Sequence, residues 1–255
     1  MLVLLPPSEG KTAPARGRSL DLGRLSSPEL IDTRRRVLDT LVRVCRDDPD
    51  GARRALGLSL GLAPEITRNA ALPTAATARA DRVYTGVLYG ALDLGTLDAA
   101  ARRRATSWVV VTSGLLGIVR VGDRIPAYRL PGDARLPGLG PVAAVWRGAL
   151  TGTVSGLAGS GPVLDLRSTS YVGFWRPTGA PARRTVQVRV LQDDHGQRRT
   201  VSHFNKATKG RLLRSPLASG QTPRSVGALL LLLDDLGWRV ERRSPTEVDV
   251  VVSEV

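Results

Sequence analysis

Cysteine occurs once, at Cys45, so the chain can form no internal disulfide and no cysteine-based zinc site. Histidine occurs twice, as His195 and His203, and eight residues of separation match no metal-ligand spacing. The sequence calls for no metal and no cofactor. Aromatic residues number two Phe, four Tyr and four Trp, scattered along the chain, which argues against the stacking platforms of sheet-based RNA and single-strand binders. Long apolar runs are missing too. The longest, Ala228 to Leu233, falls far short of the roughly 20 residues of a membrane span, so no membrane partner is expected. The opening MLVLLPPSEGK has no basic region, and its apolar stretch stops at Pro6-Pro7, unlike a signal peptide. These absences point to the cytoplasm. The scarcity that carries most information is of lysine: among 37 Lys plus Arg, only Lys11, Lys206 and Lys209 are lysines.

What is present suits one globular domain spanning residues 1–255, with 42% apolar residues and enough length for a sizeable core. A net charge of +14 attracts polyanions, and roughly six to ten phosphate contacts would make such binding strongly salt-dependent. Compositional drift toward arginine is the competing explanation, because the arginines are spread everywhere. Leu2 to Leu5 reads as a buried strand. Ser27-Pro28-Glu29 reads as a cap opening a helix through Cys45. Leu56 to Leu62 lies between two short helices, and Asp98 to Arg104 is helical before a strand at Trp108 to Val111. Gly122 to Gly140 reads as a Pro/Gly-rich loop, followed by a helix at Pro141 to Leu150 and a strand at Pro162 to Leu166. Thr185 to Leu191 alternates as a strand, with a second, less regular candidate at Arg199 to Phe204 across the DDHG turn. Thr222-Pro223 opens a helix through Leu236, and Trp238 to Arg242 with Glu247 to Val252 form a closing hairpin. Without a regular βαβ rhythm, the fold class is α+β around a mixed sheet.

The candidate chemistry lies after the buried strands. Gly10-Lys11-Thr12 imitates the end of a P-loop, but the required first glycine is Leu5, and Pro6 and Pro7 supply no N–H. What survives is a lysine just past a strand end. Arginine replaces lysine on a solvated face at little cost, whereas only an ammonium is compact and able to lose its proton. The three lysines are therefore candidates for a site. At about 3.6 residues per turn, Asn205, Lys206 and Lys209 share one arc of a helix, with Arg211 and Arg214 toward the other side. Polar clusters follow two further strands: Ser113, Gly114, Gly117, Arg120, Asp123, Arg124, Tyr128 and Arg129, then Asp165, Arg167, Ser168 and Tyr171. Together with the lysine helix and His203, these loops are expected to converge on one cleft.

In this order, PPSEGKT, YTGVLYGAL, SGLLGIVRVGDRIPAYRL, LDLRSTSY and SHFNKATKGRLLRSPLA resemble the YaaA family of peroxide stress response proteins over essentially the whole chain. The resemblance implies a single-domain α+β fold with a basic cleft and a helix-hairpin-helix-like element. It also implies protection against hydrogen peroxide, limitation of free iron, and DNA binding. The family's lysine falls on Lys11, its glycine-rich turn on Ser113, Gly114 and Gly117, and its arginine and tyrosine-arginine pair on Arg120, Tyr128 and Arg129. Its serine and tyrosine fall on Ser168 and Tyr171, and its basic helix on Lys206, Lys209, Gly210 and Arg214. The hairpin falls near Leu56 to Asn69, where Leu56, Gly57 and Gly61 match its pattern roughly. Two acids usual in the family are replaced, by Ser170 and by Pro131-Gly132.

Two functions follow as expectations. The first is a DNA-binding peroxide stress protein that protects double-stranded or structured DNA and limits free-iron damage. It would grip phosphate through Arg120, Arg198, Arg199, Lys206, Lys209, Arg211, Arg214 and the hairpin. The alternative is an enzyme acting on a nucleobase, nucleotide or damaged DNA. Its catalytic candidates are Lys11, Tyr128, Arg129, Ser168, Tyr171, Lys206 and Lys209, with a lysine as nucleophile or anion clamp. A small anionic ligand in the cleft would suit either.

Overall fold

The structure is a computed structural model that describes residues 1–194, 197–199 and 202–253. Strand β1 is Leu2–Leu5, and helix α1, Ile31–Asp47, follows after a loop. Short helices at Pro49–Ala55 and Pro64–Ala70 flank the 56–63 segment. Helices α2 (Val87–Leu92) and α3 (Ala99–Trp108) lead into β2 (Val109–Ser113) and β3 (Gly117–Arg120). Then come α4 (Val142–Ala158), β4 (Val163–Asp165), β5 (Thr185–Asp194) and β6 (Gln197–Arg199). Helices α5 (Ser202–Ser219) and α6 (Val226–Asp235) precede the hairpin of β7 (Arg239–Ser244) and β8 (Glu247–Val252).

The strands form one eight-stranded mixed sheet in the order β7-β8-β5-β4-β1-β2-β3, with β6 also paired to β5. From β8 to β2 every neighbouring pair is parallel, while the edge pairs β7–β8 and β2–β3 are antiparallel. Strands buried on both faces are mostly apolar, and LVLL, VVVTS and VLD are buried at every residue, with polar Thr112, Ser113 and Asp165 at their carboxyl ends. Helix α4 contributes Val142, Trp146, Leu150, Val154 and Ala158, four residues apart, as one buried stripe. No helix among the described residues is long and apolar enough to cross a membrane.

Three expectations about elements need correction. Ser27 adopts a left-handed conformation and its side chain caps nothing, so α1 begins after a 3₁₀ turn at Pro28–Leu30. The cap of α6 is Ser225, whose hydroxyl accepts from the Ala228 N–H, rather than Thr222. The strand expected over Arg199 to Phe204 ends at Arg199, and Ser202 already belongs to α5.

One buried cation shapes the sheet edge. Arg34, on α1, is completely buried against the edge strand β3 and the turn before it. Its guanidinium donates to the carbonyls of Leu116, Ile118, Ser26 and Ser27. Edge carbonyls that would otherwise be open to another strand are thereby taken.

Candidate functional site

The chain leaves β1 toward β2 on one side and later returns to place β4 on the other. Such a reversal opens a crevice beyond the carboxyl ends of the strands, the usual ligand position in open sheets. A cavity of about 710 Å³ occupies this place. Its walls are Pro6 to Lys11 after β1, Leu166 to Tyr171 after β4, Arg129 to Asp133, helix α2, and Asn205, Lys206 and Lys209 of α5. The far wall is where β5 and β8 run on past β4, bringing Arg189, Glu247 and Asp249, with Arg243 from β7. All three lysines thus meet in one cavity.

Their circumstances differ. The Lys11 ammonium donates to the Ser8 carbonyl at 2.7 Å and stands 4.3 Å from the centre of the Tyr128 ring. Burial, with the Arg129 guanidinium second, lowers its pKa from 10.5 to about 7. Lys209 is 8% exposed, and its ammonium donates to the carbonyls of Leu166 and Arg167 at 3.2 and 3.4 Å. Burial lowers its pKa also. Lys206 is exposed on the cavity wall and makes no hydrogen bond or ion pair with any described residue.

The loop after β4 is pinned by a buried ion pair. Arg167 grips both oxygens of Asp165 at 2.9 and 2.7 Å and donates onward to the carbonyls of Tyr171 and Trp175. Removing one partner of such a pair costs about 3–5 kcal/mol, because the other is left buried and unpaired. Ser168 and Tyr171 are held at the cavity by this frame. Burial raises the Tyr171 pKa well above its ordinary value, so the phenol keeps its proton.

Tyr128 and Ser113 lie one layer behind the wall rather than on it. The Ser113 hydroxyl is 2.6 Å from that of Tyr128, which is 3.0 Å from that of Tyr84. Ser113 also accepts from the Leu116 N–H, so this buried chain is satisfied and braces the ring beneath Lys11. Gly114 is internal, and a side chain there would strike the Leu130 carbonyl. Arg129 reaches the wall, where Glu9 faces it at 3.5 Å.

Other expected residues lie elsewhere. Arg120 donates to the carbonyls of Thr106 and Ser107 at the end of α3, and Asp123 accepts from Ser26. Arg124 donates to the Thr77 carbonyl. Arg214 caps α2 through the Leu92 and Asp93 carbonyls, and Arg198 is bidentate with Glu241. Arg199 is exposed on β6, and Arg211 is exposed on α5 outside the cavity wall. Leu56 is buried, whereas Gly57 and Gly61 are exposed in the loop between the two short helices. The His203 side chain lies outside the described residues.

Two features escaped the sequence reading. Asn69, fully buried, holds the main chain of Arg129 on both sides, donating to its carbonyl at 2.7 Å and accepting from its N–H at 2.9 Å. It is one of only two asparagines, so the scarcity that exposed the lysines would have found it. Asp133 lines the cavity two residues beyond Pro131 and supplies a carboxylate near the place of the replaced acid. Cys45 is buried and its thiol is raised to about 11, which keeps it from the thiolate that peroxide attacks.

The family model of the peroxide stress protein YaaA matches residues 1–242. A UPF0246 protein of Streptomyces coelicolor is 50% identical over 261 residues, covering 100% of both chains. A UPF0246 protein of Corynebacterium efficiens is 39% identical over 245 residues, covering 94% of this chain and 95% of its own. One from Cereibacter sphaeroides is 28% identical over 229 residues, covering 84% and 85%. Matched from its first strand into its closing hairpin, this chain belongs to the YaaA (UPF0246) family of peroxide stress proteins.

Proposed function

We propose that the chain serves the peroxide response by binding DNA, seating an anionic group of it in the cavity beyond β1 and β4. The observation that carries this reading is that the three lysines of an arginine-rich chain line one cavity with Arg129. The net charge of +14 supplies the long-range attraction, and exposed Lys206 supplies a contact on the cavity wall. Binding of this kind is indifferent to sequence, and by covering the backbone it limits damage from iron-generated radicals. Fluorescence anisotropy with a labelled duplex should give an affinity that falls about 10³-fold or more between 50 and 200 mM salt. Binding that is absent at low salt, or that ignores salt, overturns the reading.

The cavity volume favours a second reading. About 710 Å³ takes one nucleotide and no duplex, so a base or nucleotide must leave its stack to enter. The cleft then acts as an enzyme on a nucleobase, nucleotide or damaged DNA. Duplex affinity that rises when one position is unpaired separates this reading from simple coating of the backbone.

A further inference from the structure

The three lysines of the cavity are not equivalent, and their differences divide the work among them. Lys209 is committed to two main-chain carbonyls and buried beneath the loop after β4. Lys206 is an exposed cation on α5. Lys11 lies between these extremes. It lines the cavity partly exposed, and its ammonium donates to the Ser8 carbonyl at 2.7 Å and, at 3.5 Å, to that of Glu9. The Tyr128 ring lies behind it, and Arg129 lines the same wall. A second cation on that wall both draws in an anion and works against protonation of the amine.

Resting on the reading that the cavity takes an anionic group, we propose that Lys11 is an amine nucleophile for a small anionic aldehyde, with Lys206 and Arg129 holding the anion. The Lys11 Nζ lone pair attacks the carbonyl carbon, forming the C–N bond as the C=O π electrons move to oxygen. Both Nζ hydrogens pass to that oxygen, which leaves as water, and a C=N bond remains. Nothing is oxidised or reduced. A free sugar-phosphate aldehyde and the open-ring sugar of a baseless site in DNA share this chemistry. The lowered pKa of Lys11, about 7, makes a large share of the neutral amine available near neutrality.

The chain suits a direct test, because its only primary amines are three lysines and the terminus. Glyceraldehyde 3-phosphate, glyceraldehyde, and an oligonucleotide carrying one baseless deoxyribose are each incubated with the intact protein and cyanoborohydride. Reduced adducts are then mapped by peptide mass spectrometry. Adducts should form on Lys11 at least about tenfold faster than on Lys206, and the Lys11 rate should climb through about pH 7. Faster reaction of the oligonucleotide than of the free phosphate identifies DNA as the source, and the reverse order identifies a metabolite. Adducts confined to Lys206, Lys209 or the terminus overturn the proposal, as does a Lys11 rate that rises only near the ordinary lysine value. Equal rates for glyceraldehyde and its phosphate overturn the anion-holding role of Lys206 and Arg129. Mapping the parent protein avoids dependence on a variant that fails to fold. Anisotropy with an intact duplex on the same preparation separates the two readings: retained duplex binding with Lys11 unmodified removes the amine chemistry alone.

Discussion

At Lys209 an ammonium and a guanidinium of equal charge have different consequences. The ammonium reaches the carbonyls of Leu166 and Arg167 from a helix packed against the sheet, where it is 8% exposed. A planar guanidinium is larger and needs partners in a fixed plane. Lys209→Arg is therefore expected to destabilise the fold by about 1–3 kcal/mol through overpacking. Lys206→Arg, on the exposed wall, should leave the melting temperature unchanged. Thermal denaturation of both variants measures the difference, and equal melting temperatures would show that the buried site accepts either head group. The scarcity of lysine was legible in the sequence, and it led to the cavity. That each lysine would have a separate occupation was not, because occupation depends on which carbonyls and rings the fold brings near. The same holds for Arg198 and Arg214, whose positive charge is readable but whose partners, Glu241 and the end of α2, are set by tertiary packing.

Among the elements, α5 ties the site together, and its contact with α2 is unusually close. A β-carbon on Gly210 would lie 2.3 Å from the Leu88 carbonyl oxygen and 2.9 Å from the Leu92 nitrogen. Backbone atoms cannot yield as a side-chain tip can. Gly210→Ala should therefore push α5 away from α2, at a cost of about 1–3 kcal/mol. It should also weaken anion binding, since Lys206 and Lys209 ride on the same helix. Urea unfolding and duplex anisotropy on that variant check both effects; a stable variant with parental affinity would show that α5 shifts without consequence. Helix α2 itself had no periodic signature strong enough to read, being six residues long with two aliphatic anchors, Leu88 and Leu92, in the core. The strands were easier. LVLL is apolar throughout and VVVTS over its first three residues, as suits burial on both faces. Their parallel order could not be read from them, because pairing depends on long-range closure.

For the whole molecule, enclosing an amine makes stability depend on pH. Lys11 has a folded pKa of about 7 against an ordinary 10.5, so between these values the unfolded chain carries a proton that the folded chain lacks. Raising the pH through this window removes that proton and favours folding. Below about 7 the folded amine is protonated as well, and its contribution to the slope ends. Urea unfolding at about pH 7 and about pH 9 should show stability gained with pH in the parent, and a smaller gain in Lys11→Met. An identical gain in both would place the lowered pKa elsewhere. The order of the sheet has a consequence for synthesis. Val3 pairs with Val109, Leu2 with Val163, and β5 with the much later β8. A nascent chain emerging from the ribosome therefore holds β1 without either neighbour until β2 and then β4 follow, and β5 waits for β8. Loop-closure entropy is spent before these pairings are gained, which slows folding and leaves sticky apolar strands exposed meanwhile. A chain of this topology is thus most prone to aggregation while it is being made, and a chaperone that shields apolar strands is expected to raise its folded yield.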